Sequence, residues 1–238
     1  MTTVLITGAT GKQGGSVVKN LLEKSAPYKI LAVTRDVNSA SAKKLAQKSP
    51  NLTLIQGNLD NPAAIFDNFR ISFPTHEIGK HLKKKAKGTD MEWTILRPVA
   101  FFENFKPNYF GNVFTTAWQM SLKGKPLQLV AKSDTGFFAV AAFMKPEASK
   151  NHAFSFAGDE LTFDQMSETF KKLTGKNVPP TYWIPVWLMM AGVKELGVMF
   201  QWFHVEGDGA DIPALKRLNP ALKTFEDWLK EDSQFETR

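Results

Sequence analysis

A chain of 238 residues, 43% hydrophobic and 22% charged, has room for one large domain, or for a core domain carrying a smaller lobe, and is neither disordered nor fibrous. It contains no cysteine, which excludes a disulfide framework, a thiol nucleophile, a thiolate zinc site and an iron–sulfur cluster. With 30 Lys and Arg against 23 Asp and Glu, the formal charge of +7 suits an anionic partner without selecting one.

Val4 to Thr7 is a short apolar run ending at Gly8, and it predicts a strand. No basic or small-residue segment precedes it, which argues against a signal peptide. Ser16 to Leu22 predicts a helix, Ile30 to Val33 a second strand, Ala40 to Gln47 a helix, and Leu52 to Ile55 a third strand closed by Gln56 and Gly57. This alternation predicts a parallel sheet with helical crossovers. Asn61 and Pro62 open a short helix through Phe66, Glu77 to Lys85 predicts another, and Trp93 to Leu96 is a strand halted before Pro98.

Further along, a strand is expected over Leu127 to Val130 and a helix from about Thr135 to Phe143, with Asp134 near its N-cap. A strand around Phe154 to Phe156 precedes a helix from Phe163 to Leu173, where Thr162 and Gln165 have capping-box spacing. Asp159 and Glu160 read as a turn before that helix. A last helix is expected around Leu222 to Leu229. The charge-free stretch Asn177 to Val193 is interrupted by Pro179, Pro180 and Pro185 and is too short to cross a membrane. The expected architecture is α/β: a Rossmann-type parallel sheet flanked by helices over residues 1–130, and a smaller, mostly helical lobe over 131–238, partly interleaved with the core. A soluble, cytoplasmic protein is expected, with nuclear entry left open.

The strongest constellation is Gly8, Gly11 and Gly14 between the first strand and the first helix. In such a turn the first glycine permits the reversal, the second lets a phosphate approach the backbone, and the third allows close helix packing. The N–H groups at the start of the helix then face a diphosphate. Lys12 lacks the neighbours of an ATPase phosphate loop, so a dinucleotide is the expected ligand. At the end of the second strand, Thr34-Arg35-Asp36 places a guanidinium where NAD sites usually carry a carboxylate. Arg35 suits the 2′-phosphate of NADP, with Lys12 as a second cation; Asp36 argues for NAD if it faces the ribose instead. Asn58 and Leu59 follow the third strand, where an adenine would be met.

The segments ITGATGKQGGSVV, LAVTRD, QGNLDNP, WTILRPVAFFENF and FAGDELTF together resemble the NmrA-like family of atypical short-chain dehydrogenases/reductases. The resemblance covers nearly the whole chain. It implies an NAD(P)-binding Rossmann core, a small C-terminal lobe and a cleft between them. Family members are either redox sensors and transcriptional co-regulators or reductases related to quinone and isoflavone-type enzymes. By position, Gly8, Thr10, Gly11, Lys12, Gln13 and Gly14 fall on the pyrophosphate loop, Arg35 on the adenosine ribose or its phosphate, and Asn58 with Leu59 on the adenine wall. Pro98, Val99, Phe101 and Phe102 fall beside the nicotinamide, with Phe102 and Asn104 facing the substrate cleft.

The resemblance breaks after Asp60. Only 36 residues separate Asp60 from Arg97, too few for the strand, long helix and strand that the family has there. The Rossmann core is therefore expected to be shortened near residues 69–76, by about 50 residues relative to the family. The first strand would then lose its usual neighbour.

No tyrosine has a lysine four residues on, so the usual catalytic pair of short-chain reductases is absent and no catalytic residue is assigned. His76 reads as a surface or helix-start histidine, with a role as an acid the lesser alternative, and His76, His81, His152 and His204 form no metal spacing, so no metal is expected. Lys80, Lys83, Lys84, Lys85 and Lys87 read as the solvated face of an amphipathic helix, and direct nucleic-acid binding is not expected. The apolar residues from Trp183 to Phe203 are expected mostly as core, with a surplus available to a cleft or a protein contact. The expected function is that of an NADP-binding redox sensor or regulator with a protein partner. The alternatives are a reductase of a quinone or other small apolar carbonyl compound, and a truncated isoform with impaired cofactor binding. The choice between monomer and homodimer stays open.

Overall fold

The computed structural model of the chain describes residues 2–25, 27–57, 82–179, 181–192, 194–205, 207 and 209–238. Strands β1 (Thr2–Ile6), β2 (Tyr28–Thr34) and β3 (Leu52–Gln56) form a parallel sheet in that order, joined by helices α1 (Lys12–Glu23) and α2 (Ala40–Ala46). The register sets Val4 beside Ile30 and Ile30 beside Leu52, so these side chains share one face. They are buried in one cluster with Ile6, Ala32, Val18 and Leu21 of α1, and Leu45 of α2. Burying each such aliphatic side chain is worth roughly 1.5–3 kcal/mol relative to exposure, so the cluster holds the helices to the sheet. Helix α1 starts at Lys12, ahead of the expected Ser16, because Gly14 and Gly15 carry no side chains to show the periodicity.

Among the described residues β1 pairs with β2 alone. The expected helix at residues 61–66 lies outside the described residues, and of the expected helix at 77–85 only residues from 82 onward are described; residues 82–86 are helical. Strands β4 (Thr94–Pro98) and β7 (His152–Phe156) make a two-stranded sheet. A third sheet has β5 (Ala100–Phe101) parallel to β6 (Leu127–Val130), with β8 (Asp159–Leu161) antiparallel to β6. The turn expected at Asp159 and Glu160 is therefore a strand. Its side chains serve local structure: Asp159 accepts the N–H of Phe225 at 3.0 Å, and Glu160 accepts from the Gln128 amide at 2.8 Å.

Helices α3 (Tyr109–Leu122), α4 (Lys132–Met144), α5 (Phe163–Thr174), α6 (Trp183–Gly192), α7 (Lys194–Val205), α8 (Ile212–Leu218) and α9 (Phe225–Glu231) complete the described elements. Sequence periodicity misses α3 because Gly111, Val113, Phe114, Thr115, Thr116, Ala117 and Trp118 are all buried, leaving no polar face to alternate with an apolar one. The capping box at Thr162 and Gln165 is formed, with Thr162 Oγ1 accepting the Gln165 N–H at 3.2 Å and Gln165 Oε1 accepting the Thr162 N–H at 2.8 Å.

The chain divides into two units that are discontinuous in sequence: residues 1–96 with 133–153, and residues 97–132 with 154–238. The expected division was 1–130 and 131–238, with the second lobe partly interleaved with the core. The second unit has an aromatic core in which Phe102, Phe105, Trp118, Phe225 and Trp228 are buried together with Leu129, Met166 and Phe170. The apolar segment of α6 and α7 is less buried than expected. Val186 and Phe200 are wholly buried, but Trp183 and Trp187 are 62% and 56% exposed, and Leu188 is also exposed.

Candidate functional site

The glycine turn, the end of β2 and the end of β3 meet at the C-terminal edge of the parallel sheet. The Ala9 N–H donates to the Val33 carbonyl at 3.3 Å, and the Gly57 N–H donates to the Thr34 carbonyl at 2.9 Å. Ligands of open parallel α/β sheets bind outside the carboxyl ends of the strands. Among the described residues, the glycine turn and Arg35 therefore lie at the edge where such a fold binds ligands.

Gly8 has φ +62°, a left-handed conformation that side chains resist. The Gly11 N–H donates back to the Gly8 carbonyl at 2.8 Å and closes the turn. A Cβ on Gly14 would strike the carbonyls of Gly8 and Thr7, so only glycine lets the helix sit this close to the turn. Thr10, Lys12 and Gln13 are exposed around it. Gly11 is the N-cap of α1 and offers no side-chain oxygen, and the first turn holds no acidic residue. The helix start therefore keeps its positive dipole end and amide donors uncompensated by its own side chains. That arrangement fits a diphosphate.

Arg35 and Asp36 are both exposed beyond the end of β2. Asp36 Oδ1 accepts the N–H of Asn38 at 2.8 Å, and the Asp36 carbonyl accepts from the Ser39 hydroxyl at 2.9 Å. Ser39 in turn caps α2 by accepting the N–H of Ala42. Asp36 is thus committed to the turn into α2. Arg35 has no carboxylate within 4 Å among the described residues. The first unit carries 16 Lys and Arg against 9 Asp and Glu, while the second has 14 of each, so the whole net charge of the chain resides on the unit with the glycine turn. Such an excess draws anions.

The other predicted residues fare differently. Asn58 and Leu59 lie outside the described residues. In the second unit, Val99 is buried and donates its N–H to the Phe156 carbonyl at 3.4 Å, and Pro98, Phe101 and Asn104 are half-buried. Phe102 does not face a cleft. It is 0% exposed and stacks on Trp228 at 5.7 Å between ring centroids, because the short 3-10 turn Phe102–Asn104 points it into the aromatic core.

No group of three or more metal-ligating side chains occurs among the described residues. No helix among them is long and apolar enough to cross a membrane. A pocket of about 340 Å³ in the second unit, which sequence reading missed, is lined by residues including Lys125, Gln128, Glu160 and His204. Its polar groups are largely engaged with one another: Lys125 donates to the His204 carbonyl, and Gln128 joins Glu160 to the backbone of Ala210.

The model of the NmrA-like family matches residues 1–87 and 73–229, two overlapping pieces that together span most of the chain. The chain belongs to the NmrA-like family. The NmrA-like family domain-containing oxidoreductase ptmS of Penicillium ochrochloron is 43% identical over 58 residues, which are 24% of this chain and 17% of that protein. The match thus spans under a fifth of that relative's length. Among solved structures, NmrA, a negative transcriptional regulator, in complex with NADP is similar with a TM-score of 0.65 and 15% identity, over 97% of this chain and 94% of that one. The Citrobacter sp. triphenylmethane reductase complexed with NADP(H) is similar with a TM-score of 0.69 and 17% identity, over 95% of this chain and 99% of that one. At these identities the likeness establishes the Rossmann-like fold of the NmrA-like family.

Proposed function

We propose that this NmrA-like protein binds NADP(H) through its first unit and acts as a redox sensor or signalling regulator. The observation that carries the cofactor choice is the division of labour at the end of β2. Asp36 is held by the Asn38 N–H, while the neighbouring Arg35 guanidinium is exposed with no carboxylate beside it among the described residues. A bidentate guanidinium suits a phosphate of nearly two negative charges, whereas NAD would call for a free carboxylate there. NAD remains the weaker ligand of the same turn. The regulatory reading is supported by the absence of a Tyr-x-x-x-Lys pair in the sequence and by the likeness to NmrA. The exposed Trp183, Trp187 and Leu188 offer such a regulator apolar surface for a protein partner.

The second reading is an NADPH-dependent reductase of a quinone or other small apolar carbonyl compound, which the naming of ptmS as an oxidoreductase favours. Calorimetric titration with NADP and with NAD, followed by a quinone panel monitored through NADPH absorbance, separates the readings. Saturable NADP binding without turnover supports the sensor. Turnover above background supports the reductase, and no binding of either dinucleotide overturns both.

A further inference from the structure

The pocket beside β6 lies wholly within the second unit. Helix α3 is followed by Lys123 and Gly124 in left-handed conformations, at φ +49° and +86°, which turn the chain into Lys125, Pro126 and β6. On the other side α7 ends at Val205, and the chain returns to β6 at Ala210. Gln128 clamps that return: its Oε1 accepts the Ala210 N–H at 2.9 Å, and its Nε2 donates to the Ala210 carbonyl at 3.0 Å. The space between this clamp and the end of α7 is the pocket of about 340 Å³, a size that suits a small ligand.

Two full charges of opposite sign line it, and they do not pair with each other. Lys125 donates to the His204 carbonyl at 2.8 Å, which engages one of its three ammonium hydrogens at the C-terminal end of α7. Glu160 stands opposite Gln128 in the ladder and accepts its amide on Oε2 at 2.8 Å, leaving Oε1 for another donor. Both charged side chains are exposed. Neither has an oppositely charged group within 4 Å among the described residues. Leu127, Phe203 and Val205 add apolar walls.

We propose that this pocket binds a small zwitterion, a free amino acid or dipeptide with an apolar side chain, its carboxylate on Lys125 and its ammonium on Glu160. A cation and an anion kept apart in one cavity complement a ligand that carries both charges. A ligand of one sign would meet a repulsive group beside the attractive one, which selects against it. A neutral polar ligand would leave both charges without a counter-ion. The site goes beyond the dinucleotide reading and does not rest on it, since it uses no residue of the first unit.

The test is calorimetric titration of the full chain with phenylalanine and with the dipeptide leucyl-phenylalanine, each beside its N-acetylated and its C-amidated form. At least one of the two zwitterions should bind saturably with a Kd of about 1 mM or tighter, a modest affinity for so few ligand atoms. Removing either charge from that ligand should weaken binding at least about tenfold, as expected for the loss of one charge-assisted hydrogen bond. Glu160→Gln keeps an acceptor for Gln128 and removes the charge; Lys125→Met keeps the aliphatic stem. Each variant should weaken the zwitterion at least about tenfold for the same reason. Where a variant folds poorly, the ligand series on the wild type decides alone. Binding of neither zwitterion, equal binding of the acetylated or amidated forms, or unchanged affinity in either folded variant overturns the proposal.

Discussion

Gly14 lies against Gly8 so closely that a methyl group on Gly14 would overlap the Gly8 carbonyl. This contact sets the distance between α1 and the turn after β1, and therefore where the first amides of the helix point. Gly14→Ala should destabilise the protein by about 1–3 kcal/mol through overpacking against rigid backbone. It should also weaken NADP binding by about tenfold or more, since displaced donors no longer converge. Urea unfolding and calorimetry read the two effects, and a variant with unchanged stability and affinity would contradict the geometry.

Arg35→Ala should lower NADP affinity by about tenfold or more, in line with the 1.5–3 kcal/mol typical of hydrogen bonds to charged groups. NAD affinity should change little, because NAD carries no 2′-phosphate. Competition titrations measure the ratio, and an unaltered preference removes Arg35 from the site.

Phe102→Ala should act as a core truncation, costing about 3–5 kcal/mol of stability. The side chain is wholly buried against Phe225 and Trp228. A thermal melt that hardly moves would return Phe102 to a solvent-facing role.

Thr162→Ala removes one half of the capping box on α5 and should cost about 1 kcal/mol. Thr162→Ser keeps the oxygen and should recover most of it. Denaturant midpoints of the three proteins give the comparison.

Stability should also fall on acidification through Asp227. The Thr224 hydroxyl, and then the Thr224 backbone N–H, hold its carboxylate below the usual carboxylate range. A depressed folded pKa means that the unfolded chain binds the proton first. The contribution is therefore complete above the ordinary Asp value near 3.9 and is lost as pH falls through the lower folded value. Asp227→Asn should flatten the acid limb of a stability–pH curve, and an unchanged limb would show that other carboxylates govern it.

Much of the first unit could be read from the chain alone. Its three strands are short apolar runs, and its glycines answer to strict local demands: a left-handed φ at Gly8 and a vanishing clearance at Gly14. Such signals are carried by one or two residues and survive without tertiary information. The capping box at Thr162 and Gln165 is legible for the same reason. Residue type at the end of β2 likewise placed Arg35 and Asp36 at the candidate site. Only the fold shows that Asp36 is engaged, because the turn that holds it involves Asn38 and the start of α2.

The second unit was harder to read because burial there is a collective property. Helix α3 is enclosed on nearly every side and so lost the two-faced pattern that betrays a helix, while Phe102 has the sequence context of a cleft residue and the surroundings of a core one. The split of the chain between two units, each discontinuous in sequence, depends on contacts between segments 29 residues apart in the second and 117 residues apart in the first. The sequence by itself therefore determined the parallel sheet, the glycine turn and the cation beside it, each fixed by local chemistry. Tertiary structure decided which side chains are free to meet a ligand and which are consumed in packing, because that depends on neighbours brought together only by the folded chain.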